Sequence, residues 1–243
     1  MSRVYPVVCT GRTGSWYLLG CLNSIPDVRY HGELLNPKVP GGLEVGPADP
    51  ERLGGFLRAK MEQVDGSCVS GFKLPLEHMR ERGVSLSSVR EACRPEGWII
   101  LYREDLFAQF ISGIAATETN VWVRRRTDPA PHGPLRMSKH HFDEDRYLGY
   151  TLAIRRFYED FVGALGPEER RVWVRYEDLA RDTQEVFDRS IFDLIGVPRS
   201  IVRCDLVRIG PTAEDVFTNP QVARAWADRP ESRHTPLERE SIC

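Results

Sequence analysis

The chain has 243 residues, a length that fits one large α/β domain and is short for two domains of ordinary size. Hydrophobic residues make up 41% of it and charged residues 28%, a balance that excludes disordered and fibrous proteins. The formal net charge of -2 provides no overall attraction to nucleic acid or to an anionic membrane, so any anion-binding site must be local.

Short apolar runs, which are typical of strands, alternate with longer amphipathic runs, which are typical of helices. In chain order, the predicted strands are residues 4–9, 28–30, 68–74, 98–102 and 171–175. The predicted helices are residues 15–22, 49–64, 105–117, 143–165 and 182–195. This alternation predicts an α/β fold with a P-loop-like, doubly wound parallel sheet flanked by helices. Ligands of such folds bind beyond the carboxyl ends of the strands.

Two segments interrupt the alternation. Residues 36–50 hold several Pro and Gly residues and are predicted to be a loop, whereas residues 124–141 are basic, proline-rich and contain histidines. We therefore predict a single domain over residues 1–243, with a mobile lid or insert at about residues 123–142. The run Arg124-Arg125-Arg126 either attracts an anionic acceptor or forms an ordinary solvated face.

The cysteines indicate a reducing compartment. They are scattered singly, without the paired spacing of a zinc site or the density of a small secreted scaffold, at Cys9, Cys21, Cys68, Cys93, Cys204 and Cys243. No signal-peptide pattern or long apolar run occurs, so we expect a cytoplasmic protein with no membrane segment. Nearly all of the 33 basic residues are arginine, which favours a bacterial, GC-rich source.

A glycine-bearing loop joins the first predicted strand to the first predicted helix, with the sequence Thr10-Gly11-Arg12-Thr13-Gly14-Ser15-Trp16. Such a turn aims backbone N–H groups and the positive end of the helix dipole at one point, which suits an anion. Arg12 adds a guanidinium and Ser15 a hydroxyl. The loop lacks the Gly-Lys-Ser/Thr ending of a Mg-dependent NTPase loop. An ordinary tight turn before a helix is the alternative.

Three segments follow one another along the chain: the phosphate loop with the following Asn23-Ser24-Ile25-Pro26 and His31-Gly32-Glu33-Leu34-Leu35, then Leu101-Tyr102-Arg103-Glu104-Asp105-Leu106 with Gln109 and Ser112, and then Val174-Arg175-Tyr176-Glu177-Asp178-Leu179 with Ile195-Gly196-Val197-Pro198. In this order, they resemble segments of the bacterial sulfotransferases of the Nod-factor and trehalose type. The resemblance covers residues 7 to about 198. It implies a sulfotransferase that uses 3′-phosphoadenosine 5′-phosphosulfate (PAPS) and releases 3′-phosphoadenosine 5′-phosphate (PAP).

The resemblance also assigns residues to the donor. It implies that the 5′-phosphosulfate is bound by Gly11, Arg12, Thr13, Gly14, Ser15 and Trp16. It also implies that the 3′-phosphate is bound by Arg103 and Ser112. A strand-end guanidinium and a hydroxyl on the next helix can converge on one phosphate. Arg103 lies nine residues before Ser112, one more than in many members of the family.

Glu33 is the candidate general base, since it lies in a glycine-flanked turn near the phosphate loop and trehalose-type relatives use a glutamate in the matching place. His31 competes for that role because imidazole titrates near neutrality, and His140 and His141 lie in the predicted lid. Lys73 ends a predicted strand, where an ammonium can offset charge on a departing oxygen, although a solvated strand-end lysine is equally compatible.

We therefore predict an enzyme whose catalytic residues are Glu33, Lys73 and Arg12 and whose acceptor is a hydroxyl of a small molecule, either a sugar or a natural product. No metal is predicted, because no His/Cys/Asp cluster has metal-binding spacing. A homodimer is left open, and so are two other functions: a non-catalytic nucleotide-binding protein and a small-molecule kinase with a modified phosphate loop.

Overall fold

The computed structural model describes residues 2–39, 41–43, 50–62, 68–128, 137–207 and 210–235. The chain packs as two compact units. Unit 1 comprises Met1–Tyr102 and Ala164–Cys204, and unit 2 comprises Arg103–Gly163 and Asp205–Cys243. The predicted single domain over residues 1–243 stays a prediction, because a compact unit is not by itself an independently folding domain.

Unit 1 is built on a six-stranded sheet whose described strand pairs are all parallel. The strands are β1 (Arg3–Val4), β2 (Val7–Cys9), β3 (Val28–Glu33), β4 (Val69–Pro75), β5 (Trp98–Tyr102) and β6 (Arg171–Arg175). β4 pairs with β3 and with both β1 and β2, β5 lies beside β2, and β6 beside β5. Pro6 separates β1 from β2, since proline has no N–H to donate to a ladder.

One or two helices follow each of β2, β3, β4 and β5, and the remaining helices follow β6. They are α1 (Ser15–Leu22), α2 (Pro50–Glu62), α3 (Leu76–Glu81), α4 (Leu86–Cys93), α5 (Leu106–Thr119), α6 (Glu144–Ala164), α7 (Tyr176–Arg181), α8 (Thr183–Val186), α9 (Phe192–Ile195), α10 (Ala213–Val216) and α11 (Pro220–Ala227), with a π-helix at Phe187–Ile191 and a 3₁₀-helix at Pro230–Ser232. Within the described residues, none of these helices combines the length and the apolarity needed to cross a bilayer.

The two units have different cores. In unit 1 the residues of β2 and β5 are fully or almost fully buried, which suits the continuous apolar runs of a parallel sheet covered on both faces. In unit 2 the core is an aromatic cluster, in which most ring pairs meet edge-on or tilted, formed by Phe107, Phe110, Phe142, Tyr147, Phe217 and Trp226. The predicted fold class, a doubly wound parallel sheet flanked by helices, is confirmed.

The structure differs locally from the sequence-based expectations. The helix predicted at residues 182–195 is divided by the π-helix, and the short helices α3 and α4 were not predicted. Of the predicted lid at 123–142, residues 129–136 lie outside the described residues. Its flanks pair with other parts of unit 2, since Arg126 N–H donates to Asp205 O and His140 N–H to Val216 O. The mobility of the lid stays a prediction.

Candidate functional site

The phosphate loop connects β2 to α1 in a strained backbone conformation. Arg12 has a φ of 64° and Gly14 a φ of 79°, both in the left-handed region. A residue other than glycine in that region costs about 1 kcal/mol, so surrounding contacts must hold Arg12 there. Left-handed residues in a turn direct successive N–H groups toward one side, which forms a concavity suited to an anion. The backbone thus supports the predicted anion site.

Gly14 is required at its position for two reasons. Besides its positive φ, a Cβ atom on Gly14 would lie 2.5 Å from Cδ2 of Tyr176, whose ring packs directly on the loop. As the N-cap of α1, Gly14 provides no side-chain hydrogen bond to the first turn of the helix. The start of α1 therefore keeps its positive dipole end without a side-chain cap from this position.

Two predicted donor-binding hydroxyls stabilise the loop itself. The Thr13 hydroxyl donates to the carbonyl of Thr10 at 2.9 Å, and Thr13 is fully buried. Ser15 is buried as well and is hydrogen-bonded to the thiol of Cys9. These contacts fix the loop against β2, so that the shape of the anion site is set before a ligand arrives. Their direct contact with the donor stays a prediction.

A carboxylate lies against the loop. The N–H of Gly11 donates to Oε1 of Glu77, at the start of α3, over 2.7 Å. Oε2 of Glu77 is buried and has no hydrogen-bond partner among the described residues. Burial is the largest influence on this carboxyl group and raises its pKa, although hydrogen bonds from the N–H groups of Gly11 and of Glu77 itself, and the charge of Lys73, act in the opposite direction. A loop N–H that binds a carboxylate oxygen has the chemistry to bind a phosphate oxygen.

Glu33 and Lys73 form an ion pair at the carboxyl ends of β3 and β4. They are direct neighbours in the strand register, and a β-bulge between His31 and Glu33 sets the position of Glu33. Asn36 donates to the other oxygen of the Glu33 carboxylate at 2.7 Å. The Lys73 side chain is 5% exposed and that of Glu33 14%, so the pair is largely shielded from solvent.

The surroundings of Glu33 keep it ionised. Burial acts to raise its pKa, but the charge and hydrogen bond of Lys73 and the hydrogen bond of Asn36 outweigh burial and lower it. A carboxylate with a lowered pKa can accept a proton throughout the neutral range. Sequence reasoning predicted Glu33 and Lys73 separately, and the structure brings them together.

Trp16 connects the phosphate loop to this ion pair. Its indole lies against Gly32, where a Cβ atom would come within 2.6 Å of the ring, and the Lys73 ammonium lies 5.3 Å from the ring centroid. The ammonium therefore faces both a carboxylate and an aromatic face. The loop and the Glu33–Lys73 pair form one cluster in unit 1.

Sequence reasoning missed two residues of this cluster, Glu77 and His78. Nδ1 of His78 lies 3.9 Å from Oε2 of Glu33 and is buried without a hydrogen-bond partner in the described part of the chain. Burial lowers the pKa of His78 in spite of the nearby Glu33, which favours the neutral imidazole. Both residues lie in the first turn of α3, just after β4, and their place shortly beyond the carboxyl end of a strand that carries Lys73 is the signal that could have found them.

The other histidines lie in different surroundings. His31 is hydrogen-bonded to the backbone of Lys60 in α2, and burial lowers its pKa. In unit 2, Nε2 of His140 lies 3.1 Å from a carboxylate oxygen of Glu118, and His141 approaches Asn219 at 3.4 Å. None of these contacts links a histidine to Glu33. His31, His140 and His141 therefore remain alternative candidates for the general base.

Arg103 and Ser112 belong to unit 2. Arg103 follows β5 directly, Ser112 lies on α5, and each is 6% exposed. Their assignment to a 3′-phosphate stays a prediction. Among the residues that the structure describes, no three His, Cys, Asp or Glu side chains lie close enough together to hold a metal ion.

Solved structures resemble this chain in fold. A sulfotransferase from Alicyclobacillus acidocaldarius superposes with a TM-score of 0.53 at 16% identity, and the match covers 97% of each chain. The sulfotransferase domain of the olefin synthase from Synechococcus PCC 7002 has a TM-score of 0.54 at 18% identity, over 98% of this chain and 90% of that domain. The chain has the sulfotransferase fold.

The likeness is one of fold rather than of close sequence. No protein-family model matches the sequence, and no curated protein does either. The sulfotransferase fold agrees with the resemblance carried by the three segments between residues 7 and 198. One fold can carry different chemistries, so the function of this chain depends on the residues of its site.

Proposed function

We propose that this protein is a sulfotransferase that moves the sulfuryl group of PAPS to a hydroxyl of a small molecule and releases PAP. One observation carries the proposal: the glycine-bearing loop after β2 and a largely buried carboxylate–ammonium pair lie together at the carboxyl ends of β2, β3 and β4. Transfer of a charged group to a hydroxyl needs both a cradle for the anion and an acceptor for the proton. The fold supports the same function.

The residues of the loop suit the donor. The N–H groups around Gly11 and Gly14, the start of α1 and the Arg12 guanidinium would hold the 5′-phosphosulfate. Arg103 and Ser112 are assigned to the 3′-phosphate from the sequence resemblance alone. When bound, PAPS supplies a sulfuryl group that is already activated by its bond to a phosphate.

Glu33 acts as the general base. Its carboxylate takes the proton of the acceptor hydroxyl as the acceptor oxygen forms its bond to sulfur. Lys73, Arg12 and the loop N–H groups stabilise the electron pair that remains on the phosphate oxygen when the sulfur–oxygen bond breaks. For this, Lys73 must share its ammonium between Glu33 and the phosphate oxygen. Weakening of the ion pair would raise the pKa of Glu33 and make it a stronger base when the donor is in place.

The acceptor is proposed by class only, as a sugar or a natural product with a free hydroxyl. The five described cysteines are all free thiols, which fits the predicted reducing, cytoplasmic surroundings. A small-molecule kinase with a phosphate loop of this kind is disfavoured. Such a kinase needs a lysine and a Mg-binding hydroxyl directly after the glycine, whereas Ser15 and Trp16 follow Gly14.

Incubation with radiolabelled PAPS and a panel of acceptors tests the proposal. We expect labelled product and an equal amount of PAP, with mass spectrometry showing the addition of one sulfo group. Tight binding of PAPS without transfer to any acceptor would instead indicate a nucleotide-binding protein. Transfer of label from γ-labelled ATP would indicate a kinase.

A further inference from the structure

Glu77 holds a place that the proposed function assigns to the donor. Its Oε1 accepts the Gly11 N–H at 2.7 Å, and a Cβ atom on Gly11 would lie 3.6 Å from the same oxygen. The carboxylate therefore lies directly against the loop. A carboxylate oxygen and a phosphate oxygen use the same N–H donor in the same way, so the two compete for it.

The other oxygen of Glu77 has no such partner. Oε2 is buried and accepts no hydrogen bond from any described residue. A buried carboxylate oxygen in that situation is costly while the group is charged, and a proton on it removes most of the cost. Burial of the carboxylate thus favours its protonated form, and the pKa of Glu77 is raised.

The ionisable groups around Glu77 lie on three strands and on its own helix. Lys73 on β4 favours the carboxylate, whereas Glu33 on β3 disfavours it. The Cys9 thiol on β2 stays neutral, because burial raises its pKa to about 12, and His78 follows Glu77 on α3. Lys73 therefore pairs with Glu33, and its charge also acts on Glu77. A phosphate anion at the loop would add a further negative charge beside Glu77.

We propose, on the basis of the proposed function, that Glu77 is a positioning residue of the donor loop: it yields the Gly11 N–H to the 5′-phosphate and takes up a proton as the nucleotide binds. In this structure the carboxylate keeps the loop in its binding shape by standing in for an anion. Protonation then removes the repulsion between Glu77 and the phosphate while leaving a neutral carboxyl group beside the loop.

PAP binding to Glu77→Gln tests this inference. Glutamine keeps the acceptor oxygen and the shape but has no charge, so PAP should bind at least about tenfold more tightly at neutral pH. Calorimetry in two buffers of different ionisation enthalpy should show that the wild-type protein takes up more protons on binding than Glu77→Gln does, by up to about one proton. The comparison cancels the titration of PAP itself. Glu81→Gln, an exposed glutamate at the end of α3, is the matched control and should behave as the wild-type protein.

Equal or weaker PAP binding by folded Glu77→Gln, or equal proton uptake by the two proteins, would overturn the inference. A merely structural Glu77 would produce that weaker binding. Glu77→Met, which is uncharged and of similar size, allows the same comparison if Glu77→Gln does not fold. Failure of the wild-type protein to bind PAP would overturn the proposed function instead. Inorganic sulfate then serves as the probe, with tighter binding by Glu77→Gln supporting the role of Glu77 and unchanged binding refuting it.

Discussion

The end of β3 and the start of α3 each carry a carboxylate whose pKa the charge of Lys73 acts to lower, yet the resulting pKa shifts of the two groups have opposite signs. Glu33 is paired and hydrogen-bonded at both oxygens, and its pKa is lowered. Glu77 accepts a hydrogen bond at one oxygen only, and burial raises its pKa. Two like groups around one ammonium can thus hold different charges at one pH. The difference separates the chemistry, proposed for Glu33, from the binding of the donor, proposed for the loop beside Glu77.

The largest expected effect is that of Glu33→Gln. Glutamine keeps the shape but cannot accept a proton, so turnover should fall by about a hundredfold or more while PAP affinity is retained. Steady-state kinetics and calorimetric titration with PAP measure the two quantities, and Glu81→Gln again serves as the control. Loss of PAP affinity in step with rate would make Glu33 part of the nucleotide site and His31 the next candidate base. If turnover and PAP affinity both survived, the base would lie elsewhere, with His140 and His141 to be tested next.

A pH profile sharpens the same comparison. Because the folded-state pKa of Glu33 is lowered, the base should stay ionised until the pH falls below the ordinary range of glutamate, about 4.3, and kcat/KM should decline only below it. The free energy of unfolding should depend on pH in the same direction. The contribution of Glu33 to it is present above the unfolded-state pKa and is lost as the pH falls through the folded-state pKa. An acidic limb that persisted unchanged in Glu33→Gln would assign the titration to another group.

Arg12→Ala should affect the binding of the donor by the loop rather than the proton transfer proposed for Glu33. A charge-assisted contact of about 1.5–3 kcal/mol implies PAP binding weaker by about tenfold or more, with slower turnover. Arg29→Ala removes an exposed arginine from β3 and should leave PAP affinity unchanged. If folded Arg12→Ala bound PAP with wild-type affinity, the loop would be better explained as an ordinary turn before a helix.

Gly14→Ala should disturb the shape of the loop. The new Cβ would meet the Tyr176 ring at 2.5 Å and would stand at a φ of 79°, so we expect a loss of about 1–3 kcal/mol in the free energy of unfolding. Urea denaturation measures this loss. Gly55→Ala in α2 is the matched control, because a Cβ there has no neighbour within 4 Å and alanine favours a helix. Equal stability of the two variants would mean that Tyr176 does not constrain the loop.

The smallest effect concerns the 3′-phosphate. PAP should raise the melting temperature by mass action, and AMP, which lacks that phosphate, should raise it less at the same concentration. Thermal denaturation measures both shifts. Arg103→Ala should make the two shifts more alike, since it removes the predicted contact. Equal shifts in the wild-type protein would refute the assignment of Arg103 and Ser112. Loss of the PAP shift on addition of EDTA would contradict the prediction of a metal-free site.

Local pattern was enough to predict much of the sheet. The strand at residues 98–102 and the helix at residues 15–22 agree with the structure at both ends. The first is a continuous apolar run buried on both faces, and the second begins directly after a glycine and continues as an apolar run. The short helices α3 and α4 and the π-helix within residues 182–195 were beyond such patterns. A few residues carry little periodicity, and the π-helix depends on packing rather than on local preference.

The sequence by itself determined the loop, the order of the strands and helices, and the types of residue available for chemistry. Only the tertiary structure decided which of them meet. Lys73 reaches Glu33 because β3 and β4 pair in parallel and a bulge alters their register, a relation between residues 40 positions apart. Glu77 reaches Gly11 because α3 begins immediately after β4, beside the loop that follows β2. Contacts of this kind depend on register and burial, which no local run of residues encodes.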